Sequence, residues 1–264
     1  MVPPGQIAQK LLRVNLSDLA AMGAAPRGYL LALARPREIS DDWLVEFCAG
    51  LAADNAEFQI ALLGGDTVSI PGPLTLSLTA IGEVPKGEAL LRGGARPGDD
   101  IWVSGTLGDA ALGLKVLQGE LDVADDPRAY LIERYRLPQP RLALGQALRG
   151  TASAAIDVSD GLVADLCHIL EVSEVGAELR ADALPISWAA RDLPGALDAA
   201  LAGGDDYELL FTAAAERNAE VEGLARRLDL PLTRIGTIRA GSDLSILDAS
   251  GQVVVPTLKG WQHF

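Results

Sequence analysis

The sequence is poor in cysteine and histidine, and this scarcity excludes several kinds of site. Its 264 residues include two cysteines, Cys48 and Cys167, and two histidines, His168 and His263. Two cysteines cannot form the disulfide framework of a small secreted scaffold. Because both lie in apolar helical patterns, we expect buried free thiols. Two histidines are too few for a His-rich zinc or iron centre.

Long apolar runs, basic residues and aromatic residues are also scarce. No run is long enough to span a bilayer, and no secretory signal follows Met1. With 36 acidic against 22 basic residues, the net charge is −14, so nucleic acid and anionic membranes should repel the chain. We therefore expect a cytoplasmic protein that binds neither. An aromatic content of 5% argues against a glycosidase cleft, the hydrolase alternative that paired carboxylates leave open.

Helical and strand patterns alternate along the whole chain, which is typical of α/β or α+β architecture with mixed sheets flanked by helices. The first part of the chain predicts a helix, two buried strands and a half-buried antiparallel strand, at residues 6–22, 28–34, 60–63 and 74–81. A Gly- and Pro-rich stretch at 82–100 is the best candidate for a domain boundary. We therefore predict two domains, 1–86 and 87–264.

Four acidic segments stand out as candidate loops for binding metal ions. They are residues 15–18 (NLSD), 64–67 (GGDT), 157–161 (DVSDG) and 203–208 (GGDDYE). Mg²⁺ prefers carboxylate and phosphate oxygens, and a glycine beside an aspartate lets the backbone approach an ion closely. Each half has a Ser-Asp pair followed by a Gly-Gly-Asp triplet, which suggests two related halves. Any single segment can also be a helix cap or turn.

The best-known phosphate-binding and catalytic motifs are absent. The sequence contains no P-loop, no G-x-G-x-x-G fingerprint, no G-x-S-x-G elbow and no H-E-x-x-H pair. Arg92 and Arg96 flank Gly93-Gly94 and suit either a phosphate site or a solvated basic turn. The four acidic segments therefore remain the main indication of chemistry, and they favour a protein that handles a phosphorylated nucleotide through magnesium.

Taken together, these motifs resemble the thiamine-monophosphate kinase family. The matching segments run in order along the chain, at 15–24, 62–67, 91–114 (LRGGARPGDDIWVSGTLGDAALGL), 137–148, 156–170 (IDVSDGLVADLCHIL), 203–212 and 259–264. The resemblance implies an architecture like that of aminoimidazole-ribonucleotide synthetase, with an N-terminal domain that dimerises and an active site between two α/β domains. It implies ATP-dependent phosphorylation of thiamine monophosphate to thiamine diphosphate, with Mg²⁺ as cofactor and a homodimer as the assembly.

The resemblance also assigns residues. The expected magnesium ligands are Asp18, Asp66, Asp157 and Asp160. The expected ATP contacts are Gly65, Asp66, Arg92 and Ser159. Asp66 and Asp160 are expected to be essential for catalysis, while Asp205 and Trp261 are expected to contact the thiamine phosphate. Asp205 stands where the family commonly has glutamate, so its contact can be direct, water-mediated or lost.

One departure from the family pattern leaves alternatives open. The family's first segment carries a Gly-Asp-Asp motif, a Thr-Asp motif and a histidine, and this sequence begins after them. In the family these residues supply further magnesium ligands and strands of the dimer-forming sheet. The sequence therefore also permits a catalytically impaired nucleotide- or metal-binding homologue. A sister ATP-using enzyme of the same superfamily is the remaining alternative.

Overall fold

The structure is a computed structural model that describes residues 2–255, which form two β-sheets flanked by helices. The helices of this part of the chain are α1 (Pro4–Ala21), α2 (Asp41–Phe58), α3 (Asp109–Gln118), α4 (Asp125–Arg136), α5 (Leu142–Ala147), α6 (Leu162–Ser173), α7 (Ala196–Ala202) and α8 (Asn218–Leu228). The strands are β1 (Ala25–Pro36), β2 (Ala61–Ile70), β3 (Thr75–Glu83), β4 (Asp100–Ser104), β5 (Ala154–Asp157), β6 (Gly176–Arg180), β7 (Leu209–Ala213), β8 (Leu232–Arg239) and β9 (Leu244–Leu247). The predicted fold class is confirmed.

The first sheet has three strands in the order β2-β1-β3, with β2 parallel and β3 antiparallel to β1. Its inner face packs on α1 and α2, where Tyr29 and Leu31 of β1 meet Leu12 and Leu16 of α1. Strand β3 alternates between half-buried and exposed side chains, as its sequence pattern predicts. Ser40 is the N-cap of helix α2, because its Oγ accepts the Trp43 N–H at 3.2 Å.

The outer face of the three-stranded sheet, opposite α1 and α2, carries several exposed apolar side chains. Leu63 is 60% exposed and Val68 is 46% exposed, and Leu30 and Ile81 are exposed beside them. Asp66 pairs with Ala32 of β1, whose side chain is also exposed, so Asp66 belongs to this outer face. Nothing within the described residues covers it.

Strand β2 is longer than predicted and contains the first Gly-Gly-Asp triplet. The prediction of a loop at 64–67 is therefore wrong, because these residues continue the parallel pairing with β1 through Leu31↔Gly65 and Ala32↔Asp66. Gly65 has φ of 151°, and a Cβ at this position would overlap the carbonyl oxygen of Leu31. The glycine is needed for the close approach of two strands, a non-local requirement that the local pattern does not reveal.

The second sheet has six strands in the order β5-β7-β4-β8-β6-β9 and is mainly antiparallel. Helices α6 and α7 cover one face, against which Ile101 and Val103 pack. On the other face, Trp102 and Phe211 pack in a second cluster with residues of α5 and α8. Because helices cover both faces, all five residues of β4 are buried.

Helix α1 lies between the two sheets and belongs to both cores. Its Leu12 and Leu16 pack in the core of the first sheet, whereas Ala20 packs with Leu144 of α5 in the core of the second. A Cβ at Gly145 would overlap the carbonyl oxygen of Ala20, so α5 and α1 approach backbone to backbone. This contact fixes the C-terminal turns of α1 against the second sheet, where its polar residues reach the candidate site.

The prediction of buried thiols is wrong, since Cys48 and Cys167 are both exposed. Each lies one position beyond the buried stripe of its helix, next to Phe47 and Leu166 respectively. A single sheet covers each of these helices from one side, which leaves the margin of the apolar stripe in solvent. Within residues 2–255, no helix combines the length and apolar character needed to cross a membrane.

Candidate active site

The segment 157–161 forms a tight loop between β5 and α6. Asp165, in the first turn of α6, accepts the N–H groups of Ser159, Asp160 and Gly161 on one carboxylate oxygen, at 3.0, 3.0 and 3.1 Å. Burial raises the pKa of Asp165 to about 7. This carboxylate therefore shapes the loop that presents the two predicted ligands, Asp157 and Asp160. Sequence reasoning assigned Asp165 no role, although an acidic residue in the first helical turn was the available signal.

Helix α1 brings its Ser-Asp pair to the end of β5. Ser17 Oγ donates to Asp157 Oδ2 at 2.6 Å, and Asp18 lines a pocket of about 230 Å³ together with Arg92 and Asp157. We call this the Asp18 pocket. Burial raises the pKa of Asp157 to about 6, an effect that the Ser17 hydrogen bond opposes and the Asp18 charge reinforces. Burial likewise raises the pKa of Asp18, and the Arg92 charge opposes it.

The second Gly-Gly-Asp triplet, at 203–205, is a loop, as predicted, and it lies beside the 157–161 loop. Asp205 N–H donates to Ser159 O at 2.9 Å, and Tyr207 N–H donates to Val158 O at 2.8 Å. A Cβ at Gly204 would lie 2.5 Å from Ser159 O, so the glycine permits this approach. The two loops are thereby held together at the backbone.

A cavity of about 790 Å³ opens along these loops, and we call it the Asp205 cavity. Its polar lining includes Ser159, Asp160 and Asp205, with Lys115 and Gln118 of α3, and its apolar lining comes from the other α3 residues and from Tyr135 and Tyr207. Burial and then the Asp205 charge raise the pKa of the Tyr207 hydroxyl well above its usual value, and the charges of Asp157 and Asp18 add to this. The 157–161 loop therefore lines both pockets, the cavity through Ser159 and Asp160 and the Asp18 pocket through Asp157.

A network of buried charges supports the 203–208 loop from behind. Glu208 is fully buried and accepts hydrogen bonds from Ser104, Arg134 and Arg141 at 2.6, 2.9 and 2.7 Å. Asp206 is also buried and accepts the N–H of Gly108 at 2.6 Å, at the start of α3. Burial raises the pKa of Asp206 to about 8. None of these carboxylates lines the cavity, so the network positions the loop rather than a ligand.

Asp66 is not brought together with the other predicted ligands. It projects from the outer face of the three-stranded sheet, whereas α1, which carries Asp18, packs on the inner face. Its described contact is with the N–H of Thr67, at 2.8 Å. Asp18 and Asp157 share the Asp18 pocket, and Asp160 follows in the adjoining loop. Trp261, the other predicted substrate contact, lies outside the described residues.

The donor chemistry around the Asp18 pocket suits Mg²⁺, which often binds through one or two carboxylates with substrate phosphates and water completing the shell. Asp18 and Asp157 supply two such oxygens on one pocket, where burial raises the pKa of each carboxylate. Across residues 2–255, no group of three or more His, Cys, Asp or Glu side chains is arranged to hold a metal. The fit is therefore to a magnesium ion shared with a bound phosphate rather than to an all-protein cage.

Comparison with known proteins identifies the family. Two family models match the chain, the N-terminal domain of AIR synthase related proteins over residues 1–84 and their C-terminal domain over residues 96–248. The thiamine-monophosphate kinase of Salmonella typhimurium is 45% identical over 267 residues, which is 100% of this chain and 81% of the relative. That of Bacillus subtilis is 35% identical, over 99% of this chain and 82% of the relative.

Solved structures agree with these matches. The thiamine-monophosphate kinase from Stenotrophomonas maltophilia K279a superposes with a TM-score of 0.88 at 50% identity, covering 96% of this chain and 81% of the other. AaThiL complexed with AMPPCP and TMP superposes with a TM-score of 0.87 at 30% identity, covering 100% and 82%. These matches favour the kinase over the glycosidase and the sister-enzyme alternatives. The chain belongs to the AIR synthase related proteins and, within them, to the thiamine-monophosphate kinase family.

Proposed function

We propose that this protein transfers the γ-phosphoryl group of ATP to thiamine monophosphate, giving thiamine diphosphate and ADP, and that it does so in the cytoplasm. One observation carries the proposal: α1 and β5 join Asp18, Asp157 and Arg92 in a pocket directly beside the Asp205 cavity. A polyphosphate beside Arg92 and an acceptor beside Asp205 would then meet at the 157–161 loop.

The Asp205 cavity suits a cationic aromatic acceptor. Its volume of about 790 Å³ falls within the usual range for small-molecule sites, roughly 300–1,000 Å³. Thiamine monophosphate carries a positively charged thiazolium ring, which the carboxylates of Asp160 and Asp205 attract. The ring of Tyr207 provides a face for cation–π contact, whereas the Tyr135 ring already has the Lys10 ammonium 3.6 Å from its centroid. The apolar wall from α3 accommodates the uncharged parts of the two heterocycles.

The chain's own residues bind and orient the reactants. The nucleophile is a phosphate oxygen of thiamine monophosphate, which is already anionic near neutral pH, so the reaction requires no strong general base. This oxygen attacks the γ-phosphorus of ATP, a new P–O bond forms, and the bond to the leaving ADP oxygen breaks. Arg92 binds phosphate oxygens, Ser17 holds the Asp157 carboxylate through its hydrogen bond, and Asp165 fixes the loop around Ser159 and Asp160.

Magnesium is the proposed cofactor. Asp18 and Asp157 would hold it, together with Asp160 from the 157–161 loop and Asp66 from the outer face of a second copy. When bound, Mg²⁺ neutralises phosphate charge and stabilises the charge that develops on the transferring group. Such neutralisation is needed because a chain of net charge −14 must accept two anionic substrates.

The proposed assembly is a homodimer in which a second copy covers the outer face of the three-stranded sheet. The exposed apolar side chains Leu30, Leu63, Val68 and Ile81 support this arrangement. Asp66 lies among them and is separated by the sheet from Asp18 of its own chain. We therefore assign Asp66 to the site of the partner copy. Sedimentation analysis should give a dimer, and Val68→Glu should shift it toward monomer.

The proposed division into domains remains at residues 86 and 87. It is supported by the change from the three-stranded sheet, which ends with β3, to the six-stranded sheet, which begins with β4. Helix α1 contacts both units and forms the wall between them.

The reaction can be tested with the purified chain, ATP, Mg²⁺ and thiamine monophosphate, with products separated by chromatography. We expect thiamine diphosphate and ADP in equal amounts, no product from unphosphorylated thiamine, and no activity in excess EDTA. ATP hydrolysis without thiamine diphosphate would contradict the proposal. Calorimetric binding of Mg-ATP without turnover would instead support the catalytically impaired homologue.

A further inference from the structure

Lys10, on the second turn of α1, reaches the loop that carries Asp205. Its Nζ lies 3.1 Å from Asp205 Oδ2 and 2.8 Å from the carbonyl oxygen of Tyr135, and it stands 3.6 Å from the centroid of the Tyr135 ring. The side chain of Lys10 is 24% exposed and that of Asp205 is 33% exposed. This contact joins the helix of the first sheet to two residues that line the Asp205 cavity.

The Asp205 backbone is fixed independently of this contact, but the direction of its carboxylate is not. Its φ of 71° and its N–H bond to Ser159 O hold the main chain. An aspartate tolerates this left-handed conformation better than a longer residue does. The carboxylate then takes its position from Lys10 and from the neighbouring Tyr207. One oxygen, Oδ2, faces Lys10, and the carboxylate, which is 33% exposed, lines the cavity.

Helix α1 also fixes the spacing between the two pockets. Lys10 and Ser17 are seven residues apart, two helical turns on one face, or about 10 Å along the axis at about 1.5 Å per residue. Ser17 holds Asp157 in the Asp18 pocket, and Lys10 holds Asp205 in the cavity. One rigid helix therefore positions a carboxylate in each.

We infer that Lys10 is a positioning residue that directs the Asp205 carboxylate toward the acceptor and so sets affinity for thiamine monophosphate. This inference rests on the proposed function. Lys10 does not line the Asp18 pocket, so its effect is confined to the acceptor and leaves ATP binding unchanged. Lys10→Arg keeps the positive charge and the hydrogen-bond donors, although the guanidinium group is larger than the lysine ammonium. This variant should therefore restore part of the affinity for thiamine monophosphate.

The test compares Lys10→Met and Lys10→Arg with the wild type in steady-state kinetics, varying each substrate separately. We expect Lys10→Met to raise KM for thiamine monophosphate about tenfold, by analogy with the roughly 10- to 100-fold cost of removing an outer-shell partner of a metal ligand. KM for ATP and kcat should stay within about twofold. Lys10→Arg should recover most of the loss, and Lys86→Met, at an exposed turn, should match the wild type.

A double-mutant cycle with Asp205→Asn separates positioning from a general structural effect. If Lys10 acts through Asp205, adding Lys10→Met to Asp205→Asn should raise KM little further. Unchanged KM for thiamine monophosphate in Lys10→Met, or an equal loss for both substrates with a lower melting temperature, would overturn the inference. Absence of thiamine diphosphate from the wild type would instead reject the proposed function. Calorimetric titration of thiamine monophosphate without ATP gives the same comparison independently of turnover.

Discussion

The tripeptide Gly-Gly-Asp occurs twice in this chain and adopts two different structures. At 64–66 it continues an edge strand, and at 203–205 it forms a loop beside a cavity. In both places a glycine allows close backbone approach, of Gly65 to Leu31 and of Gly204 to Ser159. The segments beside the two triplets differ. Strand β1 runs alongside the first triplet and pairs with it, whereas the 157–161 loop, which lies beside the second triplet, turns away into α6. The partner segment, rather than the tripeptide, decides the structure.

Asp66 of the first triplet and Asp160 of the 157–161 loop, which lies beside the second triplet, should be equally important if the proposed dimer is correct. We expect Asp66→Asn and Asp160→Asn each to lower kcat on the order of a hundredfold or more, because each removes a carboxylate from the charge balance at the transferring phosphoryl group. Asp42→Asn, at an exposed site on α2, serves as the control and should keep full turnover. Steady-state kinetics measures kcat for each variant, and circular dichroism verifies that each variant is folded.

Mixing the two inactive variants sharpens this comparison. If Asp66 acts in the partner's site, a heterodimer of Asp66→Asn with Asp160→Asn contains one intact site, and mixing should restore part of the activity. A mixture as inactive as its components would place Asp66 in its own chain's site. Full activity of Asp66→Asn alone would remove Asp66 from the mechanism.

The first triplet should be the more sensitive to added volume. Gly65→Ala places a methyl group against the Leu31 carbonyl oxygen at a positive φ, and we expect it to lower the free energy of unfolding by more than about 1 kcal/mol. Gly223→Ala is the matched control, because it lies in α8 with open space around it and should be neutral or stabilising by up to about 1 kcal/mol. Urea denaturation followed by circular dichroism measures both, and equal stability of the two variants would contradict the role assigned to Gly65.

The residue after the second triplet is a buried aspartate, Asp206, whereas the residue after the first triplet is Thr67. Asp206 has a pKa of about 8 in the folded protein, against about 4 in an unfolded chain. Between these values the folded state holds a proton that the unfolded state has lost, so stability should fall as pH rises from about 4 to about 8. The raised pKa values of Asp157 and Asp165 act in the same direction.

Urea midpoints measured in EDTA between pH 5 and pH 8 test this dependence. The midpoint should decrease toward pH 8, and Asp206→Asn should make the decrease shallower. A midpoint that rises over this range would show that other groups dominate the linkage.

The sequence predicts local features of this protein better than distant ones. The 157–161 and 203–208 loops and the cap at Ser40 were predictable because their signals lie within a few residues. The strand at 64–67 was not, since its glycines respond to a partner strand more than thirty residues earlier. Lys10 was overlooked for the same reason, as its carboxylate partner lies 195 residues away. Asp66 was predicted to bind magnesium together with Asp18. Within one chain these two residues do not meet, because Asp66 lies on the outer face of the three-stranded sheet and α1 packs on the inner face.

The exposed thiols have a practical consequence. Cys48 lies on α2, which packs on the first sheet, and Cys167 lies on α6, which packs on the second. Maleimide dyes would thus label one site on each side of α1 without any engineered cysteine. Energy transfer between the dyes would report the distance between the two units in the free, ATP-bound and acceptor-bound states.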